Sequence, residues 1–366
     1  MNSRKMPRLK IGELEANIPI VQGGMSVGIS LSGLASAVAN EGGIGIIGVA
    51  GIGMLESDFR IDIKDANKRA LRKEIRKAKE MTNGIIGVNI MVALSDFDEL
   101  LLVAVEERAD LVFLGAGLPL KNPKTLPWKR FRDVSTKVVP IVSSARAANI
   151  IFQYWAKNHN HLPDAVVVEG PLAGGHLGFK KEQIANTNYT LDKTLSEVLS
   201  LMKTFEQQFD TRIPVIAAGG IYSGADIHRV MQLGAHGVQM ATRFVATYEC
   251  DADANFKKAY IECKKEDLVL IDSPVGLPGR AIRNKFLDEV AMGMKKPFKC
   301  PYQCLKTCNF RKSQYCIALA LTNAKNGNLD EGFAFAGANA YKVDKIVSVK
   351  ELIETLLIEY EQAAST

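Results

Sequence analysis

The stretch Pro214-Val-Ile-Ala-Ala-Gly-Gly-Ile221 decides the fold, together with Ser223-Gly-Ala-Asp226 and, one unit later, Gly237-Val-Gln-Met-Ala-Thr242. A short apolar run ends in paired glycines, an amphipathic stretch opens, and the pattern starts again. Continuous apolar runs alternating with longer amphipathic stretches read as parallel strands buried on both faces. Towards the N-terminus the theme recurs at Ile18–Gln22, Ile44–Val49, Ile85–Ile90, Leu111–Leu114, Val139–Val142 and Ala165–Glu169. With Pro214–Ala218 and Gly237–Met240 this makes eight runs. Helices expected over Leu34–Glu41, Asp65–Met81, Asp98–Arg108, Ala145–Asn158, Leu191–Phe209 and Ala225–Leu233 link them. Eight alternations predict an α/β chain closed as a TIM (β/α)8 barrel, with its chemistry at the strand C-termini. A doubly wound open sheet is the alternative. Eight similar units with glycine after several strands favour the barrel.

The repeat stops after Val245. The expected organisation is a barrel over residues 1–249, a small helical appendage with a cysteine cluster over 250–330, and a C-terminal segment over 331–366 packing back on the barrel. Val347 to Glu361 is amphipathic and reads as a closing helix. The 366 residues are 47% hydrophobic and 23% charged, which excludes a disordered or fibrous chain. Apolar runs such as Gly42 to Gly53 are short and glycine-broken, well under the roughly 20 residues of a membrane span. No secretory signal is visible behind the basic start, so a cytoplasmic protein is expected. The 46 basic and 40 acidic residues give a net charge of +6. Much of that excess lies in Lys64 to Lys79, which reads as the solvated face of an outer helix rather than a nucleic-acid surface.

The strand ends carry the candidate chemistry. Glycines let backbone approach a ligand, and amides at a helix N-terminus attract an anion. The glycine pair after strand seven and the Ala241-Thr242 step after strand eight therefore read as a phosphate site, where barrels commonly place one. Tight turns would also account for the glycines. Strand six runs into Val168-Glu-Gly-Pro-Leu-Ala-Gly-Gly-His-Leu-Gly178. Of five histidines, His159 and His161 lie in a polar linker and His228 and His236 in helix and loop contexts. His176 alone stands at a glycine-rich strand end, and is the candidate acid or base. Gln22-Gly-Gly-Met25 and Gly87-Val-Asn89 place amides at two further strand ends, where they can meet a heterocycle's edge or cap a loop.

These motifs, with Ala173-Gly-Gly-His176, Ala217-Ala-Gly-Gly-Ile221, Gly237-Val-Gln-Met240 and the later Pro274-Val-Gly-Leu-Pro-Gly-Arg-Ala-Ile-Arg-Asn284, resemble the nitronate monooxygenase (2-nitropropane dioxygenase) family over about residues 15 to 290. That family includes FMN-dependent enoyl-acyl-carrier-protein reductases. The resemblance implies an FMN-bound barrel with His176 as the catalytic residue near the flavin. It implies cofactor contacts from Gln22, Gly23, Gly24 and Met25, with Asn89 beside the isoalloxazine. It adds Glu169, Gly174, Gly175, Ala218, Gln239 and Met240, and gives the phosphate to Gly219, Gly220, Ala241 and Thr242. Ala241 departs from the family's usual glycine, and its methyl could crowd the phosphate.

Two reactions suit such a site. The first expectation is a nitronate monooxygenase, in which O2 completes the turnover. The alternative is an enoyl-thioester reductase fed by NAD(P)H. A phosphate-binding barrel enzyme without flavin is a more distant alternative. A small-molecule substrate, with neither nucleic acid nor membrane as partner, is expected in each case, and barrels of this kind often self-associate into homo-oligomers. Finally, Cys300, Cys304, Cys308 and Cys316 form a C-x3-C-x3-C-x7-C array. Disulfides are disfavoured in a reducing cytosol. Four thiolates can hold zinc or an iron–sulfur cluster, though the spacing matches neither reference pattern. Packed or redox-active thiols are the other reading. Cys250 and Cys263 read as buried lone thiols.

Overall fold

The computed structural model describes residues 5–295, 300, 302–306 and 308–365. Eight parallel strands close into a barrel: Ile20–Gln22, Ile44–Gly48, Ile85–Met91, Leu111–Gly115, Lys137–Val142, Val166–Glu169, Val215–Ala218 and Gly237–Met240. Val238 pairs with Ile20 and Ile216 with Gly237, so the eighth strand joins the first to the seventh. The open-sheet alternative is thereby excluded. Each strand lies within one or two residues of its expected place.

The pleat explains why these runs are apolar throughout. Val21, Ile46, Leu111, Phe113, Val139, Val167 and Ile216 fill the barrel's interior. Their neighbours Ile20, Ile47, Val112, Val138, Val166 and Val215 point outwards into the larger core beneath the helices. Successive strand side chains face opposite sides, and here both sides are buried. The hairpin Leu9–Ile11 and Leu14–Ala16 adds Leu9, Ile11 and Ala16 to the interior cluster. A Cβ on Gly237, at the start of strand eight, would meet Leu9 at 3.0 Å. The hairpin therefore plugs the N-terminal end and leaves the C-terminal mouth for the site.

The linking helices Ser32–Asn40, Ile63–Met81, Phe97–Glu106, Ala145–His159, Leu191–Phe209 and Gly224–Gln232 form where their periodicity and caps predict. Asp62, Ser144, Thr190 and Ser223 each accept amide hydrogen bonds from the first turn of the helix that follows. The basic helix Ile63–Met81 buries Ala66, Ala70, Leu71, Ile75 and Ala78. Its cations pair with neighbouring acids, Arg72 with Glu106 and Glu107, and Arg76 with Glu107. Among the described residues no helix is long and apolar enough to cross a membrane. His159 and His161 are not solvated linker residues, since both pack against Trp155.

Beyond the barrel, helices Ala254–Ile261, Lys285–Ala291 and Ile317–Lys325 supply the expected helical part. Between the first two lies an element that the sequence pattern does not predict, an antiparallel hairpin of Leu268–Asp272 and Pro278–Ile282. Its second strand pairs with Gly175–His176, so the appendage hydrogen-bonds directly to the loop after strand six. The C-terminal helix Val349–Ser365 packs back on Gly224–Gln232, where Glu359 accepts the Gly224 amide at 2.7 Å.

Close packing of helix on strand makes particular glycines indispensable. A Cβ on Gly45 would sit 1.9 Å from the Ala35 carbonyl oxygen, a backbone atom that cannot swing aside. Gly115 has only the Ile141 Cδ1 within reach, at 3.5 Å. Gly45→Ala is expected to destabilise by about 1–3 kcal/mol or more, as overpacking does. Gly115→Ala should leave the thermal unfolding midpoint near that of the parent, and comparing the two midpoints checks the packing.

Candidate active site

The barrel's C-terminal mouth opens into a pocket of about 320 Å³. The loop after strand one contributes Gly23, Gly24, Met25 and Val27. Strand three contributes Asn89, and strand six Glu169 with Gly174, Gly175 and His176. Strand eight brings Gln239, Ala241 and Thr242. Most of the expected site residues, dispersed over about 220 positions, thus converge on one cavity.

Five do not line it. Gln22 is fully buried; its Oε1 accepts the Ile46 amide at 3.0 Å and its Nε2 donates to the Gly23 carbonyl at 2.5 Å. That side chain ties strand one to strand two. Ala218 packs in the barrel interior and Met240 in the outer core, and their carbonyls accept the Gly170 and Gly23 amides. Gly219 and Gly220 have φ of 89° and 84°. A Cβ on Gly219 would come within 2.8 Å of the Gly170 carbonyl oxygen, and one on Gly220 within 2.8 Å of the Leu172 Cβ. The glycine pair lets two strand-end loops touch, and Leu172 stands over Gly220. The helix N-terminus beyond it already has its anions. Asp226 accepts the Tyr222 and Ser223 amides, and Glu359 accepts that of Gly224. These carboxylates occupy the Tyr222, Ser223 and Gly224 amides, which are not the groups to which a phosphate was assigned.

His176 is held on three sides. Its backbone pairs with Gly279. Its Nε2 lies 2.6 Å from the Ser273 Oγ, and the Phe335 ring meets its own edge to face at 4.9 Å. Burial lowers its pKa to about 4, so the imidazole is neutral at ordinary pH. The same desolvation lifts Glu169 to about 7. Both groups are driven towards their uncharged forms.

The loop that carries His176 rests on Arg280. This buried guanidinium donates to the Pro171 carbonyl at 2.8 Å and the Ala173 carbonyl at 2.5 Å. Ser273, Phe335 and Arg280 were not among the expected site residues. Arg280 carried a faint signal: it is a cation flanked by the uncharged Gly279 and Ala281-Ile282. Ser273 and Phe335 carried none, because only the fold brings them to His176.

The pocket suits a flavin on its own features. Gly175, with φ of 79°, has nothing within 4 Å of where a Cβ would stand, so the floor beside His176 is open. Gln239 Oε1 is buried without a hydrogen-bond partner. An unsatisfied buried acceptor facing a cavity calls for a donor, such as the imide N–H of a flavin. The Ala241 methyl packs towards Gly23, 3.4 Å from where a Cβ would stand there. The four clustered cysteines are all free thiols. Among the described residues no group of three His, Cys, Asp or Glu could hold a metal ion, so the array is no preformed zinc site.

A family model described as nitronate monooxygenase matches residues 8–100 and 92–359. The Mycobacterium tuberculosis protein named "(3aS,4S,5R,7aS)-5-hydroxy-7a-methyl-1-oxo-octahydro-1H-indene-4-carboxyl-CoA dehydrogenase" is 25% identical, over 93% of this chain and 92% of that protein. A probable nitronate monooxygenase of Staphylococcus aureus is 28% identical, over 76% of this chain and 79% of its own length. Among solved structures, FabK from Thermotoga maritima superposes with a TM-score of 0.73 at 29% identity, covering 96% of this chain and 94% of that one. The nitroalkane oxidase of Streptomyces ansochromogenes, at 22% identity and a TM-score of 0.72 over 96% of this chain and 97% of that one, shares the fold.

The depressed pKa of His176 has a consequence for stability. Below about pH 6.5 the unfolded chain takes up a proton that the folded imidazole refuses until about pH 4. His176 therefore costs stability as the pH falls through that window. Glu169 acts in the opposite sense, because its folded carboxyl holds a proton up to about 7. On acidification from pH 7 to pH 5, a His176→Asn variant should gain thermal midpoint relative to the parent. A difference between the two proteins that stays constant over this range would contradict the buried neutral imidazole.

Proposed function

Because the chain belongs to the nitronate monooxygenase family and is a flavin-dependent oxidoreductase, we propose that its pocket reduces the carbon–carbon double bond of an enoyl thioester, with FMN as cofactor and a nicotinamide as electron donor. One observation carries this choice of substrate. No Lys or Arg stands among the described residues lining the pocket, and its histidine is neutral. A nitronate would bring a negative charge into a desolvated site with no cation to meet it, which is costly. The reacting end of an enoyl thioester is neutral. Apolar side chains including Met25, Met54, Leu94, Ile141, Leu305 and Leu321 suit an acyl chain. The Mycobacterium tuberculosis relative, named for a carboxyl-CoA compound, supports the same class.

FMN, when bound, supplies the electron pair that reaches the β-carbon. The chain's own groups do the rest. Asn89 and Gln239 present amides to the heterocycle's edge. Ser273 Oγ accepts the Val275 amide at 3.4 Å and hydrogen-bonds His176 Nε2 at 2.6 Å. With the serine proton turned to Nε2, the ring proton sits on Nδ1, free to donate to a thioester carbonyl oxygen or towards the α-carbon. Phe335 fixes the ring plane, and the apolar wall excludes water.

A second reading rests on the same imidazole. A neutral His176 can take a proton from a neutral nitroalkane, which fits the staphylococcal relatives' description as probable nitronate monooxygenases. The anaerobic visible spectrum separates the two. Flavin bands bleached by NADH or NADPH and restored by crotonyl-CoA are the expected result. Bleaching by propyl nitronate alone, with no response to a nicotinamide, would overturn the thioester reading. His176→Ala should retain flavin and lose turnover by roughly 10²–10⁴-fold, the range for a general acid or base. Ser273→Ala should lower kcat with little change in KM, since it acts through the histidine.

A further inference from the structure

Cations are missing from the described lining of the cavity, yet two basic segments leave its edge on the side of strands three and four. The loop after strand four starts at Gly115 and Ala116, which line the cavity, and carries Lys121, Lys124, Lys129, Arg130 and Arg132 before its first acid, Asp133. The segment from Cys300 to Cys316 reaches the cavity through Tyr302, Cys304 and Leu305, and carries Lys306, Arg311 and Lys312 with no acid. The two segments flank the short loop after strand three. The Lys306 amide donates to the Ala93 carbonyl at 2.9 Å, and the Val92 amide to the Gly115 carbonyl at 2.9 Å. Lys306 Nζ lies over the Phe97 ring at 5.7 Å, and Phe97 meets Trp128 of the basic loop at 6.3 Å. In the closed strand order, three and four stand across the barrel from seven and eight, whose loops were assigned the flavin phosphate.

These cations differ from those of the outer helix Ile63–Met81. There Lys68, Arg69, Arg72, Lys73 and Arg76 each meet a carboxylate. At the rim Arg130 pairs with Asp133, and Arg132 donates to the His159 carbonyl. Among the described residues the side chains of Lys121, Lys124, Lys129, Lys306, Arg311 and Lys312 meet no carboxylate, and all six are exposed. A nearby acid that could neutralise them is turned to another use, since Asp98 accepts the Lys124 amide at 3.0 Å. The basic loop is also stiff. Pro119, Pro123 and Pro127 punctuate it. The Trp128 indole donates to the Lys121 carbonyl at 2.9 Å, the Trp155 indole donates to the Pro119 carbonyl at 2.8 Å, and the two rings pack at 4.8 Å. A long loop held this firmly shows its charges in fixed places, which lowers the ordering cost of binding. Lysine and arginine donors so displayed suit phosphate oxygens.

We propose that this rim binds the phosphate-bearing adenosine end of a cosubstrate whose reacting end lies in the cavity. A cavity of about 320 Å³ that admits a flavin ring and an acyl chain leaves a nucleotide outside, at the edge. That chemistry is shared by the coenzyme A ester of an enoyl substrate and by NADPH. The need for either rests on the thioester reading, but the binding does not require turnover.

The test is calorimetric titration of the full chain carrying FMN with adenosine 3′,5′-bisphosphate, the terminal group of coenzyme A, and adenosine 2′,5′-bisphosphate, that of NADPH. At least one should bind once per chain, with adenosine itself giving no heat, and its Kd should rise about tenfold or more as salt is raised from roughly 0.02 M to 0.2 M. Preference for the 3′ isomer assigns the rim to the thioester, and preference for the 2′ isomer to the reductant. A Lys121→Glu/Lys129→Glu/Lys312→Glu variant should bind at least about tenfold more weakly, as reversal of contact charges does. Its circular dichroism and flavin content should match the parent. A Lys68→Glu/Lys73→Glu/Lys77→Glu variant carries the same change of net charge on the outer helix and should bind as the parent does. Three results overturn the proposal: neither bisphosphate binds, the two variants weaken binding equally or not at all, or a single-stranded oligonucleotide binds where neither bisphosphate does. None of these outcomes bears on the thioester reading, which the nicotinamide and crotonyl-CoA spectra decide separately.

Discussion

The site depends on one buried cation. Arg280 reaches the Pro171 and Ala173 carbonyls from the strand Pro278–Ile282, whose backbone also pairs with His176 and Gly175. A guanidinium without a carboxylate partner is expensive to bury. Hydrogen bonds to a charged donor are worth about 1.5–3 kcal/mol each and offset that cost. The benefit is geometric. A glycine-rich loop at a strand end has little to fix its shape, and this one holds the histidine. By pinning the loop's carbonyls and adding a strand beside it, the appendage gives His176 a rigid frame that the barrel alone does not provide. The same hairpin brings Ser273 to the imidazole, while Phe335 comes from the chain beyond the cysteine segment.

The barrel was legible because its strands are buried on both faces. Runs such as Ile44–Gly48 and Val215–Ala218 are apolar at every position or broken only by glycine, and the pattern survives without knowledge of tertiary contacts. The hairpin of the appendage was not legible. Leu268–Asp272 is half-exposed, and Pro274, Gly276 and Pro278 interrupt the run, so no period of two accumulates. Its partner strand is the two residues Gly175–His176, a pairing across about 100 positions that local pattern does not encode.

The glycine pair after strand seven shows a different limit. The sequence establishes that a Cβ is unwelcome at Gly219 and Gly220, but a close ligand and a close backbone make the same demand. In the fold the demand at Gly219 comes from the Gly170 carbonyl and that at Gly220 from Leu172. The Ser223-Gly-Ala-Asp226 turn is a sound helix start, with its capping box intact. What sequence could not supply is that Glu359, 135 residues on, fills the Gly224 amide. His176, Asn89, Glu169 and Gln239 were legible for a simpler reason. A polar side chain that ends an apolar strand costs desolvation unless it meets a polar group there, and at a barrel mouth that group can be a ligand's.

One physical cause runs through the pocket's electrostatics. Desolvation raises an acid and lowers a base, and at Glu169 and His176 it does both within one cavity. The two shifts move opposite charges towards zero, so near neutral pH the cavity presents polar groups with little net charge. Such a site gains little from an ionic substrate and loses little on taking in a neutral one, and the absence of Lys and Arg from its described lining follows the same logic. Lys306, on the cysteine segment, turns towards the Val92 carbonyl and the Phe97 ring, and the reacting cavity is kept neutral and apolar.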